Sequence, residues 1–337
     1  LTPATSAAFG ITPAAATQLA FNVQPGTTTA GATITPAIQV TARDALGNTV
    51  TAFVGPVTVA ITAGTGTPGA VLSGTRTVGA VEGSATFSTL SINRSGTNYT
   101  LTATASGLPG AISAPFTITA GTATQLVFTA QPVTTTAGVT LPPVQVAVRD
   151  SLGNPVPGFT DAVTLTMGTG GTLAGTTTVA AVAGVATFST LRIHRSGTGH
   201  RLVATAGSLT RTSGAFSIMP AAATQLSFSV QPVTATAGAT ITPAVRVAGL
   251  DAFGNTATSF TGTVTIAIGT NPAGGVLAGT QAIAASAGVA VFSTLRIDKA
   301  GSGYTLAATS PGLTATTSAA FDIVPIAATQ ATSLPKN

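Results

Sequence analysis

PPVQVAVRDSLGNPV (Pro142–Val156) sets Val144, Val146 and Val148 on one side of an extended chain and Gln145 and Arg149 on the other, then halts at Asp150. Side chains that alternate with step two mark a half-buried β-strand. The five residues that follow have turn chemistry. Asp150 can bond backbone N–H groups ahead of it, Gly153 supplies positive φ, and Asn154 tolerates it. The same words stand twice more, as PAIQVTARDALGNTV (Pro36–Val50) and PAVRVAGLDAFGNTA (Pro243–Ala257). The turn positions are therefore Asp44, Gly47 and Asn48, then Asp150, Gly153 and Asn154, then Asp251, Gly254 and Asn255.

Other markers keep the same interval. ATQL begins at Ala16, Ala123 and Ala223, QP at Gln24, Gln131 and Gln231, and FSTL at Phe87, Phe188 and Phe292. SxxFxI places Phe9, Phe116, Phe216 and Phe321. A spacing of about 100 to 107 residues is too long for a solenoid turn and suits one small domain. About seven alternating runs per interval, with turn signals between them and no helical repeat, predict an all-β fold of three tandem β-sandwiches. The expected units are 14–120, 121–219 and 220–325. Residues 1–13 correspond to the last strand of a preceding repeat, and 326–337 to a tail or the start of a further one. A chain that opens on Leu1 rather than Met reads as a processed product or a segment of something longer. Strands of eight to ten residues at about 3.3 Å each predict a rod of roughly 90 Å or more.

Composition agrees with strands and excludes much else. Of 337 residues only 6% are charged, against about 25% in ordinary domains, and 44% are hydrophobic. Twelve cations against seven anions leave a net +5, but without Trp or basic–aromatic clusters this is no nucleic-acid signature. No apolar run is long enough to span a membrane as a helix. Cys is absent, which removes disulfides and thiolate metal sites. Each DxxGN loop offers one carboxylate where calcium takes six to eight oxygens, so no metal and no cofactor is expected. Gly64, Gly66 and Gly69 match GxGxxG, but strand and turn follow where a nucleotide site needs a helix. No GxSxG stands in the chain, and His194 and His200 lack acid or Cys partners, so an enzyme is not expected. The sequons at Asn93 and Asn98 occur in the first repeat alone and are read as chance.

GTNYTLTA, GTGHRLVA and GSGYTLAA place Tyr99, His200 and Tyr304 where a sandwich tyrosine bonds upstream backbone through its hydroxyl, with His200 offering a ring and one donor instead. With the VxVxD strand end, GNPV (Gly153–Val156) and GVATFSTL (Gly184–Leu191), these words resemble bacterial immunoglobulin-like repeats of the invasin and intimin type. The resemblance implies tandem Ig-like domains of surface adhesins, stalks and filaments, located outside the cell, without catalytic residues. Gly249 and Leu250 depart from it where the second repeat has Val148 and Arg149, which suggests a bulge.

Two segments invite a functional reading. Leu191–Arg211 carries Arg192, His194, Arg195, His200, Arg201 and Arg211 with no acid, either a solvated strand edge or a contact patch for an anionic glycan or cell-surface partner. Leu1–Pro13, an orphan strand with Phe9 and Ile11, is expected to pair with another copy of the chain, giving head-to-tail strand addition and a homopolymer. The expected role is an extracellular structural filament or stalk at the cell surface. The alternative is a glycan- or host-binding adhesin, or an accessory module of a larger secreted protein.

Overall fold

The computed structural model describes residues 3–168 and 170–327, and no helix occurs among them. The end of the chain, 328–337, with the frayed ATQA at Ala328, lies outside the described residues.

The second repeat shows the plan. Gln125–Ala130, Val144–Arg149 and Val185–Phe188 form one antiparallel sheet with Val144–Arg149 in the middle. Thr178–Ala180, Ala162–Met167, Leu202–Ala206 and Leu209–Thr212 form a second. The last strand, Phe216–Met219, pairs antiparallel with Gly197–His200 and parallel with Thr135–Thr136. Repeats one and three reproduce this order. Each repeat closes on its own hydrophobic core, around Phe87, Phe188 and Phe292, all essentially buried.

The alternating runs are cut into more pieces than seven. Twelve short strands per repeat arise because the chain changes sheets along one run. Tyr99 ends Gly96–Tyr99 opposite Phe116, whereas Leu101 begins Leu101–Ala105 opposite Ile61 in another sheet. At that switch the Leu101 N–H leaves the ladder and donates to Ser113 Oγ at 2.9 Å. A register shift also follows Phe21, Phe128 and Phe228 in each first strand. No bulge occurs at Gly249. It stays in register opposite Leu226, and its missing side chain leaves room for the Phe260 ring, which a Cβ there would strike.

The recurring polar letters satisfy backbone groups that strands cannot. The Ser113, Ser213 and Ser318 hydroxyls each accept an N–H at the sheet switch, 2.9 Å in every repeat. Gln24, Gln131 and Gln231 of QP accept the N–H of Ala114, Gly214 and Ala319 through Oε1, at 2.8, 2.9 and 2.9 Å. They tie the start of each repeat to its end. Buried backbone groups left unpaired are costly, which accounts for polar letters inside an apolar fold.

Candidate functional site: the junctions between repeats

The DxxGN turn is where successive repeats meet. In the second repeat Asp150 Oδ1 accepts the N–H of Leu152 at 3.0 Å and of Asn154 at 2.8 Å. Oδ2 accepts Gly121 N–H at 2.9 Å, from the linker entering the repeat, and the Asn154 amide at 3.0 Å. Asp251 and Asp44 hold Ala221 and Ala14 in the same way, at 2.9 and 3.1 Å. Burial pushes the Asp150 and Asp251 carboxyls up, but the Asn amide and three backbone N–H groups outweigh it and hold both below the usual Asp value. At Asp44 the Asn48 amide leads in the same direction. Oxygens turned toward N–H donors suit a fixed anion, and among the described residues no cluster of three or more metal-ligating side chains occurs.

The asparagine does more than the turn requires. Gly47, Gly153 and Gly254 take positive φ, whereas Asn48, Asn154 and Asn255 do not, so tolerance of that conformation does not explain them. Instead Asn154 reaches into the preceding repeat. Its Oδ1 accepts Ser95 N–H at 3.1 Å, and its amide donates to Asn93 O at 3.1 Å. Asn255 repeats the clamp on Ser196 N–H at 2.9 Å and His194 O at 2.7 Å. Among the described residues the Asn48 side chain bonds its own Asp44 alone, at 3.1 Å.

Apolar tips flank the clamp. Leu152 packs over Gly31 and Phe253 over Gly138, and a Cβ on Gly138 would strike the Phe253 ring. Phe253 also stacks on His194, with centroids 4.5 Å apart and planes within 7°. The matching Leu46 is 88% exposed, against 51% for Leu152 and 44% for Phe253.

The clamped segment is itself braced from within. Tyr99 donates its hydroxyl to Arg94 O at 2.9 Å, between the two atoms that Asn154 reads. Tyr304 does so to Lys299 O at 3.0 Å. Among the described residues His200 reaches no such carbonyl and both ring nitrogens are buried without a hydrogen-bond partner, because imidazole is shorter than phenol. Sequence reasoning missed the clamp, although an asparagine in all three turns, beside a glycine already able to take positive φ, was a signal for it.

The basic residues of Leu191–Arg211 do not gather into one patch. Arg192 bonds Thr140 Oγ1 at 2.9 Å and Arg201 bonds Ser213 O at 2.9 Å, both within the repeat. His194 lies in the junction, Arg211 stands on the outer strand Leu209–Thr212, and Arg195 shares a cavity with His200. At the other end, Phe9 and Ile11 are 79% and 87% exposed, and Pro3–Pro13 pairs with no strand of this chain among the described residues.

No family model matches the chain. No curated protein matches it. Among solved structures, the Escherichia coli adhesin FdeC aligns at 17% identity and TM-score 0.39, covering 94% of this chain and 100% of that one. Invasin, a bacterial integrin-binding protein, aligns at 14% and 0.34, over 92% of this chain and 60% of its own. A β-glycosidase from Bacteroides vulgatus aligns at 12% and 0.29, over 60% of this chain and 25% of its own. By its own strand order and registers, the chain is a tandem array of three immunoglobulin-like β-sandwich repeats, resembling the bacterial invasin and intimin type.

Proposed function

We propose that the chain is an extracellular structural element, a stalk or filament segment at the cell surface whose repeats are held end to end by the asparagine clamp. The observation that carries this reading is the pair of junctions in which Asn154 and Asn255 each bond one N–H and one carbonyl of the preceding repeat. A main-chain donor and acceptor read by one amide fix the orientation of one sandwich on the next, which is what a spacer has to do. No catalytic role is assigned to any residue, and no helix of the described residues is long and apolar enough to cross a membrane. Small-angle scattering tests the idea. Asn154→Ala with Asn255→Ala should broaden the distribution of interdomain distances while leaving strand content intact; an unchanged distribution defeats it.

Self-association by strand addition belongs to the same reading. Phe9 and Ile11 present apolar side chains to solvent on a segment that pairs with no strand of this chain among the described residues. Each repeat already has its own last strand, so the receiving edge on a neighbouring copy would be an outer strand such as Thr77–Gly79. Deleting residues 1–13 should abolish concentration-dependent assembly in light scattering. Polymers that persist without that segment rule out strand addition.

A further inference from the structure

Each internal junction is made of two complementary faces. The presenting face is the DxxGN turn, with Asn154 or Asn255 and the apolar tip of Leu152 or Phe253. The receiving face offers a carbonyl and an N–H two residues apart, from Asn93 and Ser95 or from His194 and Ser196. Its turn glycine, Gly31 or Gly138, lies under the tip. Two faces of the same design, one on the first repeat and one on the third, have no repeat against them among the described residues.

Both are already set in the geometry of the closed junctions. On the first repeat Asp44 Oδ1 accepts the N–H of Leu46 at 3.0 Å and of Asn48 at 2.9 Å, as Asp150 does for Leu152 and Asn154. Its Oδ2 holds the Asn48 amide at 3.1 Å, which leaves Asn48 Oδ1 without a partner among the described residues. Leu46, the counterpart of Leu152, is exposed. On the third repeat Asp298 and Ala300 stand where Asn93 and Ser95 stand. Val276 N–H donates to Asp298 Oδ1 at 2.6 Å, as Val71 N–H does to Asn93 Oδ1 at 2.8 Å. Gly238 N–H donates to Ile297 O at 2.8 Å, as Gly31 N–H does to Ile92 O at 2.8 Å. The Asp298 carbonyl and the Ala300 N–H make no hydrogen bond among the described residues, and a Cβ on Gly238 would meet nothing within 4 Å.

We propose that these faces are the two halves of one interface, and that a second copy of this chain seats its first repeat on the third repeat of the copy before it. Asn48 donates to the Asp298 carbonyl and accepts the Ala300 N–H, and Leu46 packs over Gly238. The inference rests on the clamp reading of the internal junctions. Such a contact is heterologous and does not close, so its repeated use extends the array lengthwise. Between copies it lacks the tether that joins repeats within one chain, so by itself it is transient and is read by trapping. Pro3–Pro13 pairs with no strand of this chain among the described residues, so no strand pairing has to break for a docked repeat to reach Asn48.

Cross-linking tests the contact, and a chain without cysteine gives it a clean background. Ala45→Cys and Ala239→Cys, at exposed positions beside Leu46 and Gly238, are made in separate chains, mixed, and treated with a short bismaleimide. The mixture should yield head-to-tail dimers severalfold above the dimers that either variant forms alone. Asn48→Ala, added to the Ala45→Cys chain, should bring the yield down to that background. A chain carrying both Ala32→Cys and Ser151→Cys, the equivalent positions of the first internal junction, should link within itself. If that control does not link, the clamp reading falls and this inference with it. If the control links while the mixture stays at background, the end-to-end contact alone is overturned. Linking that survives Asn48→Ala but is lost when residues 1–13 are removed also overturns it, in favour of strand addition.

Discussion

Asn154 joins two repeats through one amide, and Asn48 closes the same DxLGN turn yet among the described residues bonds its own turn alone. The contrast permits a controlled measurement. Asn154→Ala strips partners from Ser95 N–H, Asn93 O and Asp150 in a site where Asn154 is 5% exposed, and should cost about 1 to 3 kcal/mol. Asn48→Ala, at an exposed position, should stay within about 0.5 kcal/mol. Chemical denaturation of the two variants checks both; equal costs would remove the clamp from the account. The carboxylates add a pH signature. Each of Asp44, Asp150 and Asp251 titrates below the ordinary value of 3.8 when folded, so its contribution is present above that value and lost as pH falls through the folded value. Melting temperature should therefore hold across neutral pH and fall once the pH drops below about 4. Asp150→Asn should lower the neutral-pH plateau and flatten the acid limb.

At the scale of elements, the central strand and the glycines at the junction make separable claims. Phe188 stands opposite Val144 on Val185–Phe188 and is fully buried, so Phe188→Ala should cost about 3 to 5 kcal/mol, read as a selective loss in the melting of the second repeat. If that melting is unchanged, the core does not close on this ring. Gly138 and Gly238 share a positive φ, +78° and +75°, but only Gly138 lies under a neighbouring ring, that of Phe253. Both changes to Ala carry the backbone cost of roughly 1 to 2 kcal/mol. Gly138→Ala adds the collision, so the excess of its loss over that of Gly238→Ala measures the packing of the junction. Alternation, turns and core rings at this scale were legible in the sequence, since step-two patterning and Gly–Asn turns are local. The sheet switch at Thr100 was not, because it depends on Ser113 accepting Leu101 N–H from another strand.

For the whole molecule, three cores that each close within one repeat make the repeats separate packing units, and the junctions decide how far they behave as one. Calorimetry should show repeats whose transitions overlap in the native chain and separate when Asn154 and Asn255 are both replaced. The second junction has the His194–Phe253 stack in place of a corner hydroxyl bond, since His200 reaches no carbonyl of its own turn. Phe253→Ala should accordingly loosen the contact between repeats two and three more than Leu152→Ala loosens that between one and two, read in the same scattering experiment.

Sequence by itself determined the all-β class, the interval of about 100 residues, the turn positions and the inward phenylalanines, because each rests on neighbours within a few residues along the chain. Tertiary structure alone decided what the polar letters do. Whether Asn154 is a turn residue or a bridge depends on Asn93 and Ser95, about 60 residues away, arriving at its amide. Whether the corner ring braces its own turn depends on Tyr99 reaching Arg94 O, where His200 reaches no partner among the described residues. Local pattern encodes backbone direction and burial; a hydrogen bond between distant residues exists only once the chain has folded and the two groups share a place.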